Sequence, residues 1–133
     1  MSYRKSVREL ARDLAAGAVT SEAVCEAQLA HIKAVEPALS AFNTVMADQA
    51  LTRARALDAH RAAGRPLGPL HGVPVALKDN LCTRGVPTTA SSRILRDFVP
   101  PYDATVVSRL HSSGAVFVGK TNLFFFKDTS STE

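Results

Sequence analysis

The stretch Gly68-Pro-Leu-His-Gly-Val-Pro-Val-Ala-Leu-Lys-Asp-Asn80 decides how this chain folds. Its centre, Val73 to Leu77, is a compact apolar run with the length of a buried strand. Lys78 follows directly, so it stands at the carboxyl end of that strand. Open α/β sheets gather their binding and catalytic groups at the carboxyl ends of strands. The stretch therefore predicts a strand that delivers one lysine to a functional edge.

The segment that follows predicts a helix and a second strand. Residues 103–114 begin with an aspartate suited to an N-cap and end in a glycine, which is typical of a helix. The apolar run Ala115 to Gly119 comes immediately afterwards and is interpreted as a strand. Strand, crossover helix and strand form a βαβ unit, which we expect to be parallel and right-handed.

The amino-terminal half of the chain has helical periodicity instead. A Ser-x-x-Glu capping box and a closing glycine bound the first helix, and Pro37 is expected to end the second. The segments are a helix from Ser6 to Gly17, a helix from Thr20 or Ser21 to Pro37, an extended piece at Phe42 to Val45, and a helix over Ala47 to Ala63. We therefore predict one α/β domain, with a helical segment at 1–65 and a βαβ segment of a mixed sheet at 66–133.

Composition excludes several classes of protein. The 133 residues carry a formal net charge of +4, which is spread along the chain rather than clustered. No apolar run approaches the roughly 18 residues needed to cross a bilayer, and no secretory leader is evident. Cys25 and Cys82 lie far apart, which indicates reduced thiols in the cytoplasm. No cofactor or metal motif is present, and neither a membrane nor direct nucleic-acid binding is expected.

The connection from Asp79 to Tyr102 is longer than most loops inside a compact domain. Loops above about 15 residues are uncommon there and usually functional. Because it directly follows Lys78, we interpret it as an active-site loop, with a surface excursion held by prolines as the alternative.

Lys78 has the chemistry of a candidate base. A lysine accepts a proton only when it is neutral, and its unperturbed pKa is about 10.4. Burial favours the neutral amine because desolvation penalises the charged form. The apolar residues that precede Lys78 predict such partial burial, and a neutral lysine can deprotonate a serine.

Several motifs in this order resemble the amidase signature family. They are the opening stretch at 68–80, Thr83 to Ser91, Pro100 to Val107, and Gly114 to Asn122. Within the family, the likeness is greatest to the A subunits of the glutamyl-tRNA(Gln) amidotransferases, the branch that hydrolyses glutamine. The chain corresponds to the amino-terminal portion of such a protein, so the resemblance implies an incomplete amidase-signature fold.

The resemblance implies a role for Lys78 as the base of a Ser-Ser-Lys triad. In the family, one serine relays the proton and the other attacks the amide, so that an acyl-enzyme forms and ammonia is released. In the amidotransferases, a partner subunit uses that ammonia to convert Glu-tRNA(Gln) to Gln-tRNA(Gln). The implied substrate is glutamine or another small amide, the implied partners are amidotransferase subunits, and tRNA is contacted only indirectly.

Two departures from the family pattern bear on activity. The glycine- and serine-rich segment that supplies both serines has no counterpart here, so we expect a truncated relative that is inactive alone. In addition, Phe124 and Phe125 replace two acids, and with Phe126 they form an aromatic run. That run leaves open a non-catalytic subunit-interaction module. The sequence is also compatible with a decayed gene product and with a fragment of a general amidase.

Overall fold

The computed structural model describes residues 4–123 of the chain, and its elements alternate between helices and short strands. The structure confirms the α/β class, with the two parallel strands flanking a helix as predicted. The elements in chain order are α1 (Val7–Ala16), α2 (Ser21–Leu39), β1 (Phe42–Val45), α3 (Ala47–Ala62), β2 (Pro74–Lys78), a 3-10 turn (Arg93–Leu95), α4 (Thr105–Ser112) and β3 (Val116–Thr121).

The three described strands form one mixed sheet in the order β1-β3-β2. β2 and β3 are parallel and are joined through α4, so the βαβ unit forms. β1 is antiparallel to β3. Because β3 is central in this sheet, all of its residues except Thr121 are buried, whereas β2 buries only Leu77 completely. The buried strand predicted at Val73 to Leu77 is therefore confirmed only in part, because its two end residues are buried, whereas Pro74 and Val75 are half-buried and Ala76 is exposed.

Helix α1 begins and ends as its sequence predicts. The Ser6 hydroxyl accepts from the Glu9 amide at 3.3 Å, and the Glu9 carboxylate accepts from the Ser6 amide at 2.8 Å. Gly17 closes the helix with a φ of 73°, a left-handed conformation that suits glycine. The capping box thus satisfies two amides that would otherwise have no helical partner.

Two helix boundaries differ from the prediction. Pro37 lies inside the last turn of α2, which continues to Leu39. Pro37 lacks the amide for one helical hydrogen bond, but the turn continues because the Ser40 amide donates to the Glu36 carbonyl. Asp103 does not cap α4, because its carboxylate accepts from the Arg84 amide at 2.7 Å instead. The helix then starts at Thr105 without a side-chain cap.

The two faces of β3 pack against different parts of the chain. Val116 and Val118 contact the cluster formed by α2 and α3, which includes Cys25. Ala115 and Phe117 contact a second cluster, which includes Leu77 of β2, Val107 of α4 and Met46. The sheet is therefore a central layer between two separate apolar clusters.

A β-bulge interrupts the alternation of side chains in β3. Val75 pairs with Phe117, but the next residue of β2, Ala76, pairs with Gly119, so Val118 has no partner there. One extra residue changes which face the following side chains occupy. Lys120 consequently lies beside Leu77 rather than on the α2–α3 face that Val116 and Val118 share.

Replacing Gly119 by alanine is expected to destabilise the bulge by about 1–3 kcal/mol, as overpacking of a tight site does. The new Cβ would lie 2.5 Å from the Thr44 carbonyl oxygen and 2.6 Å from a ring carbon of Phe42. Urea denaturation measures the loss. Gly64→Ala is the comparison, because a Cβ added at Gly64 has no atom within 4 Å and the only cost is the left-handed backbone conformation. A smaller loss at Gly119 than at Gly64 would contradict the packing argument.

The Cys25 thiol makes the α2–α3 cluster sensitive to alkaline pH. Burial, and to a lesser extent the Glu26 carboxylate, raise the pKa of Cys25 from 9.0 to about 11. Between these values the unfolded chain loses the proton first, so folding stability falls as the pH rises. A shift of this size corresponds to about 2–3 kcal/mol. We expect Cys25→Ala to flatten the decline between pH 9 and 11 in urea titrations. An equal decline in both proteins would refute this assignment.

Candidate active site at the carboxyl edge of the sheet

Polar side chains gather where β2 and β3 end and β1 begins. Lys78 pairs with Thr121, and Thr121 pairs with Phe42 on the other side, so three strand ends meet at one edge. Asn43, Asp79 and Lys120 lie at or next to this edge. The sequence predicted this location for Lys78, and the parallel register explains it.

Lys78 is exposed in the part of the chain that the structure describes. The expected partial burial is not observed there, for a reason that follows from strand geometry. Successive side chains of a strand point to opposite faces, and Leu77 is the residue that faces the core. Its neighbour Lys78 therefore points away from that core, as Ala76 also does.

Asp79 is fully buried and organises the start of the loop that follows Lys78. One carboxylate oxygen, Oδ2, accepts from the Thr89 hydroxyl at 2.6 Å, the Thr89 amide at 3.2 Å and the Asn43 side-chain amide at 2.8 Å. The Asp79 amide donates to the Thr121 carbonyl, and its own carbonyl accepts from the Ala90 amide. The residue after Lys78 is thus fixed through both its backbone and its side chain.

Lys120 is the buried lysine of this edge. Its ammonium donates to the Leu81 carbonyl and to the Thr88 hydroxyl, each at 2.8 Å, and lies 3.6 Å from Asp79 Oδ1. Burial lowers the pKa of Lys120, and the carboxylate of Asp79 opposes that effect. Sequence reasoning missed this residue. A lysine after an apolar strand was the available signal, but its partners come from a loop about 35 positions away.

The loop from Asp79 to Tyr102 does lie against the edge that carries Lys78. Ala90 and Ser91 adopt positive φ angles of 48° and 56°, which are uncommon for residues other than glycine. The Ser91 hydroxyl donates to Asn122 and accepts from Asn43 and from the Leu123 amide. These contacts hold residues 88–91 across the ends of all three strands. A role of this loop in catalysis remains a prediction.

The other titratable candidates occupy structural positions. His71 lies in the turn before β2, is only 3% exposed, and has its pKa lowered chiefly by burial. The Cys82 thiol lies 3.7 Å from the Tyr102 hydroxyl. Among residues 4–123, no three His, Cys, Asp or Glu side chains come together as a metal site would require. Phe124, Phe125 and Phe126 lie outside the described residues.

An apolar groove of the described residues lies apart from this polar edge. It has a volume of about 770 Å³ and lies between α2, β1 and α3, where apolar side chains such as Leu29, Phe42 and Leu51 line it. Neither Lys78 nor Lys120 contributes to its wall. We therefore assign the candidate chemistry to the polar edge, where the ionisable groups converge, and not to the apolar groove. Within residues 4–123 no helix is both long and apolar enough to cross a bilayer.

Comparison with known proteins identifies the family. The model of the family described as Amidase matches residues 23–133, so this chain belongs to the amidase family. It is 55% identical over 130 residues to the glutamyl-tRNA(Gln) amidotransferase A subunit of Acidothermus cellulolyticus and 56% identical over 120 residues to that of Chloroflexus aurantiacus. These matches cover 98% and 90% of this chain but only 26% and 25% of the relatives. The chain thus spans about a quarter of their length and is similar to their amino-terminal part.

Solved structures show the same relationship. The native peptide amidase of Stenotrophomonas maltophilia superposes with a TM-score of 0.84 at 40% identity, over 90% of this chain and 25% of that one. A protein described as part of a vestigial complex that reveals the origins of an s-triazine catabolic enzyme gives a TM-score of 0.86 at 36% identity, over 90% of this chain and 26% of that one. The described fold is therefore a part of the amidase-signature fold.

Proposed function

We propose that this chain is the lysine-bearing part of a glutamine-hydrolysing amidotransferase A subunit, with Lys78 as the catalytic base. The observation that carries the proposal is the position of Lys78. It lies at the carboxyl edge of parallel strands, within a segment 55% identical to the A subunit of an amidotransferase. The negative charge of the neighbouring Asp79 is already compensated by the Lys120 ammonium. The Lys78 amine is therefore not needed for that ion pair and is available for proton transfer.

The proposed reaction is a covalent amide hydrolysis. The neutral Lys78 amine takes a proton from a relay serine, which in turn takes one from the nucleophilic serine. The serine oxygen attacks the side-chain amide of glutamine, the C–N bond breaks, and the departing nitrogen receives a proton and leaves as ammonia. Water then hydrolyses the acyl-enzyme to glutamate. Both serines belong to a segment outside these 133 residues.

Lys78 becomes an effective base only when it is desolvated. The described residues leave it exposed, so the proposal requires that the segment carrying the serines cover this edge of the sheet. Partner subunits would then receive the ammonia and transfer it to tRNA-bound glutamate. We expect the 133 residues alone to be inactive because they lack both serines, and the exposed position of Lys78 adds a second reason.

A chimeric enzyme tests this proposal. Residues 1–122 of this chain replace the matching part of the Acidothermus cellulolyticus protein, which is co-expressed with its partner subunits. We expect the chimera to release ammonia from glutamine and the 133-residue chain alone to release none. A folded, assembled chimera without activity would refute the assignment, and so would Lys78-dependent ammonia release by the isolated chain.

A general amidase is the second candidate function. The 40% identity to a peptide amidase over 90% of the chain favours it. The native product, captured from its source cells with an antibody against residues 66–122, distinguishes the two. Ammonia release from glutamine supports the amidotransferase, whereas release from a peptide carboxyl-terminal amide but not from glutamine supports the general amidase.

A further inference from the structure

The two lysines at this edge occupy different environments. Lys78 is exposed, whereas the Lys120 side chain is 0% exposed. They belong to neighbouring parallel strands and are offset by one residue, since Lys120 pairs with Leu77 and Lys78 pairs with Thr121. The β3 bulge directs Lys120 towards the loop, because the chain needs an extra residue at Val118 to bring it beside Leu77.

The surroundings of Lys120 are built for one cation. Two of its three donors reach oxygens at 2.8 Å, and Asp79 Oδ1 faces it at 3.6 Å. This Oδ1 is buried and accepts no hydrogen bond from residues 4–123. Among the described residues, Lys120 is the cation that lies within 4 Å of this carboxylate, and the pair compensates a charge that would otherwise be buried alone.

We propose that Asp79 and Lys120 are positioning residues for Lys78. The pair keeps the Asp79 carboxylate inside the sheet edge, where it binds Thr89 and Asn43, and the Asp79 carbonyl binds Ala90. These bonds fix the residue directly after Lys78 and the loop at 88–91 that flanks it. The direction of the Lys78 side chain is thereby set by a charge pair on the opposite face of the strand. This inference rests on the proposed role of Lys78 as a base.

An apolar pair of similar size would not replace this arrangement. It would leave the Leu81 carbonyl with the Thr83 hydroxyl as its remaining donor, and it would take the carboxylate acceptor away from Thr89 and Asn43. Buried polar groups that lose their partners are costly. The loop would then relax away from the strand ends, and the positive φ angles of Ala90 and Ser91 would lose the contacts that maintain them.

Hydrogen exchange in the 133-residue chain tests the positioning of the loop. In Thr88→Val, which keeps the charge pair, we expect the Thr89 and Ala90 amides to exchange about 3-fold to 10-fold faster than in the parent, as the loss of a net hydrogen bond predicts, and in Lys120→Met we expect a larger acceleration. Amides of α2 should keep their protection in Thr88→Val, which separates local release of the loop from global unfolding. Lys33→Met, at an exposed lysine of α2, is the matched control. Unchanged exchange of Thr89 and Ala90 in both variants would overturn the proposal, and Thr88→Val decides it if Lys120→Met does not fold.

Kinetics of the chimera separate positioning from a purely structural role. Neither Asp79 nor Lys120 is exposed to a substrate, so Lys120→Met is expected to lower kcat about 10-fold or more and to leave KM unchanged. An unaltered kcat in a variant whose loop amides exchange faster would mean that the pair only stabilises the fold, and it would overturn the proposal. An inactive parent chimera would instead refute the proposed function, and the exchange data would then show whether the pair holds the loop.

Discussion

Replacing Lys78 by methionine is expected to lower the kcat/KM of the chimeric enzyme for glutamine by about 100-fold to 10,000-fold, the usual contribution of a general base. Methionine keeps the length and the apolar stem of lysine but cannot accept a proton. The substitution should leave the fold unchanged, because Lys78 is exposed and the bonds of this region run through Asp79. Ammonia release at several glutamine concentrations gives kcat and KM separately.

Two controls make the Lys78 result specific. Lys33→Met removes an exposed lysine of α2 and should retain full activity. Thermal unfolding of the 133-residue Lys78→Met chain should match that of the parent, since surface substitutions usually change stability by less than about 0.5 kcal/mol. Activity within twofold of the parent would show that Lys78 is not the base.

Removing Lys120 alone is expected to have the largest effect on stability. Lys120→Met leaves the Asp79 carboxylate buried without a counter-charge, and breaking a buried pair in this way typically costs about 3–5 kcal/mol. Asp79→Asn combined with Lys120→Met removes both charges and should cost clearly less than the sum of the single substitutions. Urea denaturation of the four proteins gives the coupling energy directly. Additive losses would mean that the two side chains do not interact.

The pH dependence of the same proteins provides an independent check. The pKa of Lys120 is lowered in the folded chain, mainly by burial. Between that value and 10.5 the unfolded chain binds more protons, so this lysine makes stability rise with pH. We expect Asp79→Asn to increase the gain in stability with pH, because it removes the carboxylate that favours the charged form of the Lys120 amine. The opposite contribution of Cys25 is separated by measuring each variant in the Cys25→Ala background.

Local sequence signals predicted the elements that depend on neighbouring residues. The capping box of α1 and its closing glycine act within one or two turns, and the bounds of β1 at Phe42 and Val45 agree with the structure. The helix of the βαβ unit was also predicted, but its predicted cap at Asp103 was wrong. The Asp103 carboxylate accepts a hydrogen bond from the Arg84 amide, and no short-range pattern in the sequence indicates that contact.

The candidate site was predictable only in part. The sequence correctly placed Lys78 at the carboxyl end of a strand. Whether its side chain is buried depends on which face of β2 packs against the core, and the local sequence does not show that. The Asp79–Lys120 pair was not predictable, because its members are about 40 positions apart and the bulge at Val118 reverses the expected face of Lys120. A strict alternation from Val116 would have placed this lysine among the apolar residues of α2 and α3.

The bulge also determines how this strand tolerates changes in length. Deleting Val118 would restore the regular two-residue period, and Lys120 would still pair with Leu77 on the side of the loop. The loss would fall on the opposite face, where Gly119 would take the place of Val118 and the cluster around Cys25 and Ile32 would lose one of its valine side chains. The ammonium group would thus keep its side of the sheet, and the cost of the deletion would appear as a cavity in the apolar cluster.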